Sequence, residues 1–160
     1  MNKSTPQKEI CEPILKLIGK TDQKILAIWA ANCAKKMLPY FEKSYPKDKR
    51  PREAIEATIN WVKGKINIRE ARRFALASHA AARIAKTENN LQACNAARAA
   101  GHAVATAHVP RHAFGPIFYT MKIINNTDKF SETNTLKSKR LLEKEYNNLS
   151  NCLNLKNKFS

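Results

Sequence analysis

Glycine is scarce in this 160-residue chain, with four in all, and no run of β-branched residues replaces it. An alanine-rich, glycine-poor sequence of this kind favours helices, because alanine costs least in a helix. No stretch of 18 or more residues is free of polar side chains, which excludes an ordinary membrane-spanning helix. The first residues, MNKSTPQKEICEP, hold no apolar segment of the kind a secretory signal needs, so a cytoplasmic protein is expected. The four cysteines, Cys11, Cys33, Cys94 and Cys152, have no C-x-x-C spacing. In a reducing compartment they read as small core residues rather than disulfide or metal ligands.

Acidic residues are also few, 13 against 29 lysines and arginines, for a formal charge of +16. Such a chain attracts nucleic acid, anionic surfaces and acidic proteins. The excess is spread evenly, +6 over residues 1–50, +5 over 51–110 and +5 over 111–160, so there is no basic arm. A bias toward Lys, Asn and Ile is also what an AT-rich genome produces without selection for binding.

What is present is helical periodicity. Residues 1–21 read as a loose lead-in, with a short helix around 14–18. The spacing predicts a helix over residues 22–44, with Ile25, Ile28, Trp29, Cys33, Met37, Tyr40 and Phe41 on its apolar stripe and Thr21 as its cap. A second helix starts at Pro51, carries Ile55, Ile59 and Val62 inward with Trp61 close by, and stops at Gly64. Asn67 and Glu70 make a capping box for a third, over 68–86, with Ala71, Phe74, Ala75, Ser78, Ala82 and Ala85 inward. Residues 89–109 form a fourth helix with one charged residue, Arg98, and a face of small side chains. A helix apolar nearly all round is buried, so this one is expected at the centre. Pro110 breaks it, and a fifth helix runs to about residue 125. A polar linker, 126–135, leads to a docking helix over 136–153 on the stripe Leu142, Tyr146, Leu149 and Leu153, then a tail, 154–160. The expected fold is all-α: a compact bundle of about six helices, its core domain over 22–125, around a buried alanine-rich central helix.

Motifs that carry chemistry are weak. Gly19-Lys20-Thr21 looks like the end of a phosphate-binding loop but lacks the glycine five residues earlier, where Ile14 stands. The histidines are His79, His102, His108 and His112, without H-E-x-x-H. His108 and His112 have a spacing that could share a metal, but Pro110 lies between them and no acidic residue lies between Glu88 and Asp128. No metal, cofactor or catalytic residue is therefore assigned. Asn95, Arg98, His102 and Thr106 form a polar stripe on the central helix, which needs an internal network or a partner. Arg69, Arg72, Arg73 and Arg83 share about 100° of arc on the third helix. That face is solvated or holds carboxylates or phosphates.

Four segments carry a resemblance. They are LAIWAANCAKKMLPYFEKSYP (26–46), PREAIEATINWVKGKINIREAR (51–72), ALASHAAARIA (75–85) and AARAAGHAVATAHVPRHAFGPIFYTMK (96–122), with W-x-x-G-x-I and A-G-H-A-x-A-T-A-H-V as their most specific strings. Together they resemble a helical family of immunity proteins from bacterial polymorphic-toxin systems. The resemblance implies a non-catalytic protein that binds a cognate toxin and blocks it. His79, Arg98, His102, His108, Arg111 and His112, which lie in the segments richest in histidine, are the candidate partner-binding residues. A nucleic-acid-binding protein using the basic third helix is the alternative, and a metal-dependent hydrolase using the histidines is a third reading.

Overall fold

In the computed structural model, which describes residues 5–159, the described residues form seven α-helices, two short 3-10 turns and no strand. The helices are α1 (Pro6–Lys20), α2 (Gln23–Glu42), α3 (Arg50–Val62), α4 (Ile68–Thr87), α5 (Leu91–Ala105), α6 (Gly115–Ile124) and α7 (Leu136–Phe159). The turns span Pro110–Phe114 and Phe130–Glu132. No helix among the described residues is long and apolar enough to cross a membrane.

The helix with a single charged residue is the hub, as its composition predicts. α5 packs against α2, α3, α4 and α6, while α7 pairs with α1 and touches α6 and α2. Eleven of the fifteen residues of α5 are buried, seven of them alanine. Small side chains let the neighbouring backbones approach closely. At Gly101 a Cβ would come 2.6 Å from the His79 ring, and at Gly115 it would fall on the His102 side chain. Only glycine leaves room for those two rings. The Ser78 hydroxyl donates to the Ala97 carbonyl at 2.8 Å, fixing α4 against α5.

Local signals set most of the ends. Asn67 and Glu70 form the expected capping box on α4. α3 ends before Gly64, whose φ of 71° lies in the left-handed region that suits glycine. Other boundaries differ from expectation. Asp22, not Thr21, caps α2, accepting from the Lys24 and Ile25 amides; Thr21 ends α1 and its hydroxyl donates to the Leu17 carbonyl. A carboxylate beside two free helix amides accepts more strongly than a hydroxyl. The lead-in expected over residues 1–21 is, from Pro6 on, a full helix with Cys11, Ile14 and Ile18 buried; Met1–Ser4 lie outside the described residues. Pro6 sits in the first turn, where no N–H is needed, and exposed Pro13 costs one ladder bond that docking against α7 offsets.

The stripes on α2 and α7 also need correction. α2 buries Leu26, Ala27, Ala30, Ala31, Ala34 and Leu38 besides Trp29, Cys33 and Phe41, and leaves Ile28 and Tyr40 exposed. α7 runs on through most of the expected tail to Phe159, and its buried line is Ser138, Leu142, Glu145 and Leu149, with Tyr146 exposed. Three cysteines are buried, but Cys152 is exposed.

Glu145 is the buried charge on that line. Its carboxylate accepts from Lys36 Nζ (2.7 Å), Trp29 Nε1 (3.2 Å), Asn148 Nδ2 (3.2 Å) and the Cys33 thiol (3.5 Å). Burial pushes its pKa up, but the hydrogen bonds from Lys36 and Asn148, with the Lys36 charge and the thiol, more than offset that. It titrates below the ordinary carboxylate range and pins α7 to α2.

Candidate functional site: a row of histidines beside an arginine face

α5 ends at Ala105, four residues earlier than its pattern suggests, and the chain turns through residues 106–109. Val109 is extended, as a residue before proline tends to be, and Pro110 opens the 3-10 turn. A helix break is expected to leave carbonyls bare. Here Gln23, the first residue of α2, donates from Nε2 to the Thr106 and Ala107 carbonyls at 2.9 and 3.0 Å. The turn is thereby tied to the bundle and holds His108, Arg111 and His112 in place.

The four histidines, scattered over residues 79–112, stand in single file. His79 of α4 meets His102 of α5 edge-on, ring centroids 5.3 Å apart. His102 meets His112 at 5.0 Å and His112 meets His108 at 5.3 Å. The Nδ1 atoms of His102 and His112 are 3.1 Å apart. One of them must therefore donate its proton to the other, which fixes opposite tautomers on the two rings. Tyr119 of α6 lies 5.4 Å from His102 on the other side. A cavity of about 210 Å³ opens here, lined by His102, Arg111, His112, Phe114, Phe118 and Tyr119.

All four imidazoles have a lowered pKa, which favours the neutral ring. Burial lowers the pKa of His79 to about 4, helped by the charges of Arg98 and Arg83 and by His112. Burial does the same for His102, to about 4, with His79, His112 and Arg98 adding to it. His108 is lowered by burial and by Arg72, and His112 by burial and by His108. Among the described residues, the charges acting on the four rings are those of arginines and of one another. His79 Nδ1 is buried without a hydrogen-bond partner. Among the described residues, no group of three or more His, Cys, Asp or Glu side chains is placed to hold a metal ion.

The polar stripe on α5 divides. Asn95 and Thr106 are buried, and Thr106 returns its hydroxyl proton to the His102 carbonyl at 3.2 Å. Arg98 and His102 are half-buried and belong to the histidine row. Arg111 and His108 are exposed on the turn. Arg69, Arg72, Arg73 and Arg83 are all exposed along α4, and none has an ion-pair partner among the described residues. The Gly19-Lys20-Thr21 string closes α1 as an ordinary helix end.

Two groups had no place in the sequence reading. Tyr119 enters because α6 returns it beside His102 one turn after the 3-10 segment; its aromatic character was the only signal. Glu145 stands at the buried position of a 4-3-4 spacing with Ser138, Leu142 and Leu149, a pattern visible in the sequence but hidden by its charge.

Neither a curated protein nor a solved structure shows significant similarity to this chain. A family model does. The model described as "Imm-5 like putative immunity protein" matches residues 16–151, which takes in α2 through most of α7 and the whole of the histidine row. By that match the chain belongs to the Imm-5 like putative immunity protein family.

Proposed function

We propose that this protein protects its own cell by binding a cognate toxin and covering the toxin's working surface, without chemistry of its own. The family match over residues 16–151 is the observation that carries this reading. The bundle supports it physically. A hub of close-packed alanines presents a rigid surface, and a preorganised surface loses little entropy on binding. The histidine row supports a binding role too, since its imidazoles, favoured in the neutral form, offer donors and acceptors beside arginine charges. The protein acts in the cytoplasm, where its free thiols stay reduced; Cys11, buried, is pushed up to about 11 and is inert.

The test is co-expression with the product of the neighbouring gene, its toxicity scored with and without this protein. The expected result is growth rescue with co-purification of the two chains in equal amounts. Rescue with no complex would sink the occlusion mechanism, and no rescue would sink the immunity reading.

A further inference from the structure

Arginine and lysine are not mixed at random in this chain. Between Lys65 and Lys122 there are six arginines and one lysine, Lys86; elsewhere there are three arginines and nineteen lysines. Lysine supplies the general positive charge, while arginine is concentrated where α4, α5 and the following turn come together. Guanidinium offers a planar, weakly hydrated fork suited to carboxylates at interfaces, which an ammonium does not.

The outer side of α4 shows what the arginines accompany. Arg72, Leu76, His79 and Arg83 follow spacings of 4, 3 and 4, one strip of a helix. Leu76 is 66% exposed, more than any other large apolar side chain among the described residues. The strip reaches the turn after α5 through the histidine rings: His79 meets His102, His102 meets His112 and His112 meets His108, each pair of centroids within 5.3 Å. Arg72 also acts electrostatically on His108. On that turn Val109 is another exposed aliphatic, flanked by exposed His108 and Arg111. Exposed aliphatic side chains beside unpaired arginines fit a protein interface, where an apolar centre is bordered by a polar rim and arginine is enriched over the rest of the surface.

We infer that Arg72, Leu76 and Arg83 of α4, with His108, Val109 and Arg111 of the turn, form the docking surface for an acidic protein partner. That partner carries an apolar depression rimmed by carboxylates. Charge complementarity decides the occupant: the two fixed charges on the strip and the one on the turn have no acidic partner within the described chain. Nucleic acid would use the arginines but not Leu76 or Val109, and binders of single strands add exposed aromatics on which bases stack. The aromatic of α4, Phe74, is half-buried against the core instead. This inference rests on the immunity reading and adds to it the toxin's contact chemistry: an acidic surface, despite the attraction between many nuclease toxins and anionic substrates.

The experiment measures binding of the neighbouring gene's product by calorimetry, with wild type, Arg72→Glu/Arg83→Glu, Leu76→Asp, and a control, Lys35→Glu, in the groove between α2 and α3. All four positions are exposed, so thermal melting should stay within about 2 °C of wild type. The double charge reversal should weaken binding about 100-fold or more, Leu76→Asp about tenfold or more, and the control less than about threefold. Wild-type binding that survives both face variants overturns the surface while leaving the immunity reading intact. A wild-type chain that does not bind or neutralise the toxin overturns both. A 20-base-pair duplex of unrelated sequence is titrated in parallel from low to high salt. Steeply salt-dependent binding, lost in the double variant, would assign the face to nucleic acid and overturn the protein partner.

Discussion

Glu145 and His79 are both polar groups set among apolar helices, yet one is fully partnered and the other is left open. The Glu145 carboxylate receives hydrogen bonds from Lys36, Trp29, Asn148 and Cys33, joining α7 to α2. The histidine row has the reverse character: one shared proton, arginines on its flank and a bare Nδ1 at one end. A satisfied buried network fixes the fold. An unsatisfied one lowers stability and is retained where something else uses it. The comparison separates the network that holds α7 on α2 from the row proposed to lie beside a partner's docking surface.

The largest expected effect lies on the closed side. Glu145→Ala removes a buried acceptor that joins α7 to α2, leaving the Trp29 N–H without its partner and the half-exposed Lys36 ammonium without its counter-charge. Unfolding in denaturant should show a loss of about 4 kcal/mol. A loss under about 1 kcal/mol would place the joint between α2 and α7 in apolar packing alone.

Next is the pH dependence of the open side. His79 and His102 titrate near 4 in the fold, against 6.5 for an ordinary histidine. Between those values the unfolded chain binds more protons, so stability is complete above about pH 6.5 and falls as pH drops toward 4. Both rings are partly exposed and influence each other, so the combined loss is about 3 kcal/mol rather than the full sum. Carboxylates with lowered pKa, Glu145 among them, lose their contribution only below their ordinary value of 4.5. The interval from pH 6.5 to 5 therefore reports on the histidines. Replacing both His79 and His102 with phenylalanine should reduce the slope over that interval, leaving only the share of His108 and His112; an unchanged slope would move the titration elsewhere.

Gly115→Ala sharpens the comparison from the backbone side. Its new methyl would fall on His102 Cβ, an atom that cannot swing away, and should cost about 2 kcal/mol by overpacking. Gly101→Ala meets the His79 ring, which can rotate outward, and should cost less. Equal losses in thermal melts would mean that both rings are equally fixed. The smallest effect has the opposite sign. His79→Phe keeps a flat ring over Gly101 and removes the orphan nitrogen, and should stabilise the protein by about 1 kcal/mol at pH 7. Destabilisation would mean that Nδ1 has a partner after all.

The same contrast explains what the sequence disclosed. The hub was legible because its pattern is strong: twenty-one residues, 89–109, with Arg98 the sole charge admit no surface position for that helix. The capping box on α4 and the stop at Gly64 were legible because each is a local rule. α1 was hidden by Pro6 and Pro13, since local reading counts a proline as a break and cannot weigh a tertiary contact against it. Glu145 was hidden for the converse reason. Its charge argued for solvent, and three of its four partners, Trp29, Cys33 and Lys36, stand more than 100 positions away and reach it only after folding. The four histidines could be grouped by their density in the sequence, but not ordered. The single file depends on how α4, α5 and the 3-10 turn cross, and Gly101 and Gly115 mark those crossings only when the neighbouring rings are known.

The most direct measurement of the central claim is a titration of toxin activity with this protein. Binding by occlusion predicts that activity falls in proportion to added protein and reaches zero at one equivalent, at once and without further change with time. If a small fraction of an equivalent instead silences all of the toxin progressively, the protein is turning its target over, and the account is wrong.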